Sequence, residues 1–323
     1  MDHFRLLIDG TLVAGASALP VINPATGQPF ATAARADASQ LDEAVAAARR
    51  AFPAWAALGW DERRARLEAV ADAMEARFQD FVRLLTLEQG KPLDQASFEV
   101  GGSIAALRYF ANLELHDRVL RETDEERIVE FHTPLGVVAA ITPWNFPILL
   151  LMLKFAPALI AGNVVIAKPA PTTPLTTLLL GEVAAPILPA GVFQTIVDAN
   201  DLGSVLASHP GVAHVSFTGS TATGKKVLAS TADTLKRSTL ELGGNDAALV
   251  LEDADIASVA PAIFQAATLN AGQICLAAKR IYVPSGKYDA LCGALADLAG
   301  KSVVGDGLQQ GTQIGPIQNR VQF

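Results

Sequence analysis

Apolar residues in the first third of the chain recur with a helical period. Leu67, Val70, Ala71, Met74, Phe78, Phe81 and Leu85 stand three or four positions apart. That stripe predicts one amphipathic helix, capped by Asp61 and stopped by Gly90. A shorter helix is predicted over 41–52, with Ser39 or Asp42 near its start, and another over 95–112. Two extended runs follow, Arg127-Ile128-Val129-Glu130-Phe131 and Val137-Val138-Ala139-Ala140-Ile141. The turn residues at 134–136 between them read as a hairpin connection. After Pro147 the pattern changes again. β-type runs at 164–167, 193–197, 212–217, 238–242, 248–251 and 280–283 are separated mostly by helix-compatible segments, which begin near Pro147, Pro174, Leu202, Thr221, Asp255 and Lys287. This is the βαβ rhythm of an α/β fold, a mostly parallel sheet covered by helices. The sequence shows no internal repeat, low-complexity tract or long linker.

Composition narrows the reading. The 323 residues suit about two domains. Half the residues are hydrophobic and 18% are charged, enough for a large core. A net charge of −8 and a pI near 5.2 argue against a nucleic-acid surface, and pairs such as Arg63-Arg64 and Lys225-Lys226 are scattered. Asp2, His3, Arg5 and Asp9 interrupt the start, where a secretory signal would need an apolar core. Two cysteines make no disulfide framework at this size and fit a reducing cytoplasm. The uncharged stretch 132–152, with Ile148-Leu149-Leu150-Leu151-Met152, imitates a membrane span. Pro134, Pro143 and Pro147 break it, so a buried strand, turn and helix are expected there.

Four segments carry candidate chemistry. In Phe217-Thr218-Gly219-Ser220-Thr221-Ala222-Thr223-Gly224-Lys225-Lys226, a strand runs into a helix start beside glycines. Backbone N–H groups there suit a phosphate, although a simple capped turn reads the same way. Lys226 occupies the place of the hydroxyl that a nucleotide-triphosphate loop needs. In Thr142-Pro143-Trp144-Asn145-Phe146-Pro147, Asn145 either bonds its own backbone or points its amide at a developing oxyanion. In Leu240-Glu241-Leu242-Gly243-Gly244-Asn245, Glu241 is either one half of a structural ion pair or a general base in an apolar pocket. In Asn270-Ala271-Gly272-Gln273-Ile274-Cys275-Leu276, Gly272 and Gln273 open a turn where a helix ends. A lone cysteine is usually a small buried hydrophobe, and Cys292 in its Ala/Leu helix fits that role. Cys275 differs. The histidines His3, His116, His132, His209 and His214 all lie upstream and form no protease signature.

In this order, with Cys275 following Glu241 by 34 positions (275 − 241), the segments resemble the aldehyde dehydrogenase superfamily. The resemblance runs from Asn23-Pro24-Ala25-Thr26-Gly27 to Gly315-Pro316. It implies a Rossmann-type cofactor-binding domain over 1–245, with an oligomerisation hairpin at about 120–141. An incomplete catalytic α/β domain would follow over 246–323. The implied reaction oxidises a small-molecule aldehyde to a carboxylate with NAD, or with NADP in its place, through a cysteine thioester. Cys275 would be the nucleophile, with Asn145 and the Cys275 N–H holding the oxyanion. Glu241 would activate the hydrolytic water, and Lys154 would relay protons to it. Lys168 would contact the adenosine ribose, with Thr142, Pro143 and Trp144 in the same cofactor site. Gly219 and Ser220 would hold the pyrophosphate, Gly224 would close that turn, and Leu242 and Gly243 would lie near the nicotinamide.

Two departures from the family pattern stand out. Pro171 occupies the place of a glutamate that binds ribose hydroxyls in many NAD-preferring members. Lys168 is the only basic residue of that local segment, which favours NAD. The family pattern also continues well past Gly315-Pro316, so the chain is expected to be truncated at its C-terminal end. Alternatives are a CoA-acylating dehydrogenase, which Glu241 opposes, and a catalytically silent nucleotide-binding remnant, which the intact Cys275, Glu241 and Asn145 oppose. The resemblance further implies a cytoplasmic homo-oligomer when full length, with no metal, nucleic-acid or membrane partner.

Overall fold

The computed structural model describes residues 3–323. The described chain opens on strands, where the helical pattern of the first third had been expected to dominate. These are β1 (His3–Phe4), β2 (Leu6–Ile8), β3 (Thr11–Val13), β4 (Ser17–Asn23) and β5 (Gln28–Arg35). β4 pairs antiparallel and β1 parallel with β5, while β2 and β3 form a hairpin. Strands this short carry too few alternations to register as a period. Their visible signal is the Asp9-Gly10 turn, with φ of 49° and 74°, the left-handed pair that two-residue hairpins require.

Four helices follow. In α1 (Ala38–Ala56) the cap is Asp37, whose carboxylate accepts from the Gln40 N–H at 2.9 Å. The single helix expected up to Gly90 is two, α2 (Trp60–Ala76) and α3 (Phe78–Gln89), broken at Arg77. The apolar stripe hides the break because Met74, Phe81 and Leu85 enter the same core on either side of it. Gly59 takes the cap position expected of Asp61, and Asp61 pairs with Arg64 at 2.8 Å. Helix α4 (Leu93–Ala111) places Glu99 on its buried face among Ala96, Val100 and Ser103.

The expected hairpin is real but differently composed. β6 (Arg118–Glu122) pairs antiparallel with β7 (Arg127–Glu130), whereas β8 (Val137–Ile141) is the middle strand of the main sheet. All five β8 residues are buried, and an unbroken apolar run requires cover on both faces. The remaining elements of this layer are α5 (Pro147–Ile160), β9 (Val164–Lys168), α6 (Leu175–Ala184), β10 (Phe193–Thr195), α7 (Gly203–Ser208), β11 (His214–Thr218), α8 (Thr221–Thr231) and β12 (Arg237–Glu241). The sheet order is β10-β9-β8-β11-β12, all parallel. The chain winds outward from β8 through β9 to β10, then returns to the other side of β8. Between β8 and β11 the winding reverses, and outside the carboxyl ends of strands at such a point lies the crevice where ligands bind.

Beyond β12 a second, smaller core forms. β13 (Asp246–Leu249) pairs parallel with β14 (Ala278–Tyr282), covered by α9 (Ile256–Thr268) and α10 (Tyr288–Lys301) around Val250, Ala260, Ile263 and Leu291. The last twenty or so residues return to the first core, where Gln318 Nε2 donates to the Glu88 carbonyl at 3.3 Å. Among the described residues, no helix is long and apolar enough to cross a membrane.

Candidate active site

The carboxyl ends of β8, β9 and β11 open into a cavity of about 600 Å³. Thr142, Pro143, Trp144, Lys168, Gly219 and Ser220 all line it. Ser220 caps α8, its Oγ accepting from the Thr223 N–H at 3.1 Å, and through Ser220 and Thr223 the helix start borders the cavity. Gly224 stands behind the wall rather than in it. A Cβ there would lie 2.5 Å from Leu242 Cδ2, so only glycine lets Leu242 pack so closely on α8. Lys168 Nζ donates to Asp198 Oδ1 at 2.6 Å and to the Pro169 carbonyl at 3.1 Å. Among the described residues, the buried hydroxyls of Thr142 and Thr218 have no partner. Those hydroxyls, Lys168, the exposed Lys226 and a helix N-terminus fit a phosphate-bearing dinucleotide. Pro171 lies elsewhere, in a groove with Pro24, Pro316 and Phe323, and Ala170 takes the cavity-wall position.

A second cavity of about 390 Å³ shares Pro143, Trp144, Thr218, Gly219 and Ser220 with the first. Asn145, Leu242, Gly243, Gln273 and Cys275 complete its wall. Asn145 does not bond its own turn. Its Nδ2 donates to the Gln273 carbonyl at 2.9 Å, which commits one N–H and fixes the amide plane. The Cys275 turn is strained, with Asn270, Ala271 and Gly272 at φ of 52°, 56° and 74°. Left-handed conformations at residues other than glycine cost on the order of 1 kcal/mol each and persist only where surroundings fix them. Here Asn270 Nδ2 donates to the Asn145 carbonyl at 3.1 Å, and Gln273 Nε2 donates to the Asn270 carbonyl at 2.9 Å. The Glu-Leu-Gly-Gly segment passes directly against this turn. A Cβ on Gly244 would lie 2.4 Å from the Cys275 carbonyl oxygen, and Lys279 Nζ ties the two by donating to Gly244 and Ile274 carbonyls at 2.9 and 3.1 Å.

Glu241 is exposed, at the end of edge strand β12, and lies outside that wall. The expected apolar pocket is absent because β12 alternates, turning Arg237, Thr239 and Glu241 out and Ser238 and Leu240 in. Across the ladder Glu241 pairs with Thr218, and Thr239 with Ser216. The same face receives Lys154 from α5, whose Nζ donates to Ser216 Oγ at 3.1 Å. Burial pulls the Lys154 pKa down to about 8, with the Glu241 charge pulling it up. Cys292 is exposed, against expectation, because α10 buries little beyond Leu291.

The sequence reading passed over a buried ion pair beside the site. Lys91 and Glu99 are in contact and fully buried, and Lys91 Nζ also donates to the Asn145 carbonyl at 2.9 Å. Glu99 accepts from the Ile148 and Leu149 N–H groups at 3.1 and 3.3 Å, capping α5, whose cap residue Phe146 supplies no side-chain bond. The available signal was a carboxylate on the apolar face of α4, a position that demands a partner. Among the described residues, no group of three or more His, Cys, Asp or Glu side chains is placed to hold a metal ion.

Residues 12–323 match the model of the aldehyde dehydrogenase family. The chain is 40% identical over 302 residues to the aldehyde dehydrogenase LUC3 of a Fusarium species, covering 94% of this chain and 63% of that protein. It is 39% identical to the NADP(+) succinate-semialdehyde dehydrogenase GabD of Escherichia coli, over 93% of this chain and 63% of the relative. The chain therefore spans about two thirds of the length of the curated relatives it matches. An NAD+ complex of an aldehyde dehydrogenase from Bacillus cereus superposes with a TM-score of 0.96 at 30% identity, over 99% of this chain and 67% of that one. The parallel sheet, the capped turn and the Asn145–Cys275 cavity thus sit in a chain that belongs to the aldehyde dehydrogenase family.

Proposed function

We propose that the chain oxidises an aldehyde to the carboxylate, with NAD or NADP as hydride acceptor, through a thioester on Cys275. One observation carries the reading: the cavity holding Cys275 and Asn145 shares five wall residues with the cavity suited to a dinucleotide. The Cys275 thiolate adds to the carbonyl carbon and gives a thiohemiacetal. Its oxyanion is held by the second N–H of Asn145 and by the Cys275 backbone N–H. A bound nicotinamide supplies the hydride acceptor, and loss of hydride from the thiohemiacetal carbon leaves the thioester. Glu241 takes the proton of the water that hydrolyses it. Lys154, whose pKa burial lowers to about 8, relays protons to that carboxylate.

The two separate cores support a division into a cofactor-binding domain over 1–245 and the start of a catalytic domain over 246–323. The β6–β7 hairpin, with Val119, Leu120 and Ile128 exposed and Phe131 just beyond it 68% exposed, supports pairing with a second copy. The free thiols of Cys275 and Cys292 support a reducing cytoplasm.

The test is intact-mass and peptide mapping after incubation with NAD and a panel of aldehydes. An acyl adduct should appear on Cys275, vanish in Cys275→Ser and persist in Cys292→Ser. An adduct on Cys292, or NADH formation without any need for Cys275, would overturn the assignment.

A further inference from the structure

The relatives of this chain include one named for NADP(+) and one captured with NAD+, so kinship leaves the choice of dinucleotide open. A 2′-phosphate carries a charge of about −1.5 to −2 and needs a cation whose charge is not already spent. In the dinucleotide cavity the buried cation is Lys168, and its charge is spent. Asp198, fully buried, receives Lys168 Nζ on Oδ1 at 2.6 Å and the Leu202 N–H on Oδ2 at 2.9 Å. A second N–H of the ammonium goes to the Pro169 carbonyl at 3.1 Å. One donor is left, which suits a ribose hydroxyl and falls short of three phosphate oxygens.

Asp198 is held against the lysine by the Leu202 N–H on its other oxygen. Its loop is tied on both sides, by the Ala36 N–H to the Val197 carbonyl at 2.8 Å and by Arg35 to Asp201 at 2.6 Å. Ala170 and Pro171, which follow Lys168-Pro169, bring no charge of either sign. The other cation in the wall, Lys226 on α8, is exposed, so solvent and salt screen it.

We infer that Asp198, by neutralising Lys168 inside the cavity wall, makes this a site for NAD rather than NADP. The inference rests on the proposed dinucleotide role of the cavity. It assigns the preference to Asp198, not to the missing glutamate at Pro171.

Isothermal titration of the purified chain with NAD and with NADP tests it, with circular dichroism to verify folding. Wild type should bind NAD at least about tenfold more tightly, since the neutralised pair offers a 2′-phosphate no buried cation to offset its loss of hydration. Asp198→Asn keeps the shape and an acceptor for Leu202 but frees the Lys168 charge, so NADP should gain about tenfold relative to NAD. Replacing the pair together, Lys168→Met with Asp198→Leu, leaves no buried charge, and the wild-type ratio should hold. That double variant also decides the matter if the single one fails to fold. Equal or tighter NADP binding by wild type would overturn the inference alone. So would an unchanged ratio in folded Asp198→Asn, or a loss of NADP affinity of about tenfold in Lys226→Ala. Failure of both dinucleotides to bind wild type would overturn the proposed function itself, and this inference with it.

Discussion

Replacing Glu99 by glutamine should destabilise the chain far more than its conservative shape suggests. The pair with Lys91 is fully buried on both sides. Removing one partner of such a pair costs about 3–5 kcal/mol, because the other charge is left without compensation in a low-dielectric interior. Glutamine keeps an acceptor for the Ile148 and Leu149 N–H groups, so the cap of α5 survives. Lys91 also keeps the Asn145 carbonyl at 2.9 Å and the Phe146 ring, whose centroid lies 3.6 Å from Nζ. Burial already lowers its pKa, so it can shed its proton instead of remaining charged. These compensations put the loss near the bottom of the range, at about 3 kcal/mol. At roughly 2–4 °C per kcal/mol, the melting temperature should fall by roughly 6–12 °C. Calorimetry or a circular-dichroism melt measures it. The double variant Lys91→Met, Glu99→Leu removes both charges and should recover to within about 1 kcal/mol of wild type. It still lacks the ammonium on Asn145, so alkylation of Cys275 by iodoacetamide, measured with Cys292→Ser, should change in rate although stability returns. A single variant as stable as wild type, within about 0.5 kcal/mol, would refute the reasoning.

Burial pushes Glu88 from 4.5 up to about 7, against three donors from Leu175 and Thr176. A folded-state pKa raised above the unfolded one stabilises fully below about pH 4.5, and that contribution is lost as pH rises through about 7. At 1.36 kcal/mol per unit it amounts to about 3 kcal/mol at most, so urea midpoints at about pH 5 and pH 8 should diverge more in wild type than in Glu88→Gln. Equal slopes would mean that Glu88 titrates normally. Gly224→Val should displace Leu242, cost about 1–3 kcal/mol and weaken NAD binding, read by melting and titration together. Phe131→Asp with Ile128→Asp should abolish any self-association seen in sedimentation without lowering the melting temperature, because both residues are exposed in the single chain.

The main layer was legible because its signals are long and redundant. Runs such as Val137–Ile141 and Val164–Lys168 are buried throughout, and each is followed by a helix opened by proline. Periodicity misled where burial and geometry part company. Arg77 interrupts a helix without interrupting its apolar stripe, and the proline-glycine turn before β8 resembles a hairpin, although β7 turns back onto β6. The N-terminal strands are held largely by partners far away in sequence. The Leu7 N–H donates to Thr195 Oγ1, and Asp9 to Gln194 Oε1, at 2.8 and 2.7 Å across more than 180 positions. No local pattern contains that information.

The site divides along the same line. The residues proposed to meet a ligand were visible as motifs, because glycine turns, a bracketed asparagine and a lone cysteine are unusual locally. The residues that hold them were not, because lysine, glutamate, asparagine and glutamine look alike on a surface and in a core until their burial is known. The Cys275 turn shows why those supports matter. Three consecutive left-handed residues would relax in an isolated peptide, at a gain on the order of 1 kcal/mol for each one that is not glycine. The Asn270 side chain bridges the Asn145 and Gln273 carbonyls, and its own N–H donates to Gln95 Oε1 at 3.0 Å. Asn270→Ala should therefore release the turn. The substitution removes the two hydrogen bonds that the Asn270 side chain donates, at about 1 kcal/mol each. The consequence to look for is local rather than global. Hydrogen exchange over 270–276 should quicken by about tenfold or more while the α4 and β8 amides stay protected. If exchange quickened equally across both cores, the turn would be a passive part of the fold, and its strain would owe nothing to the placement of Cys275.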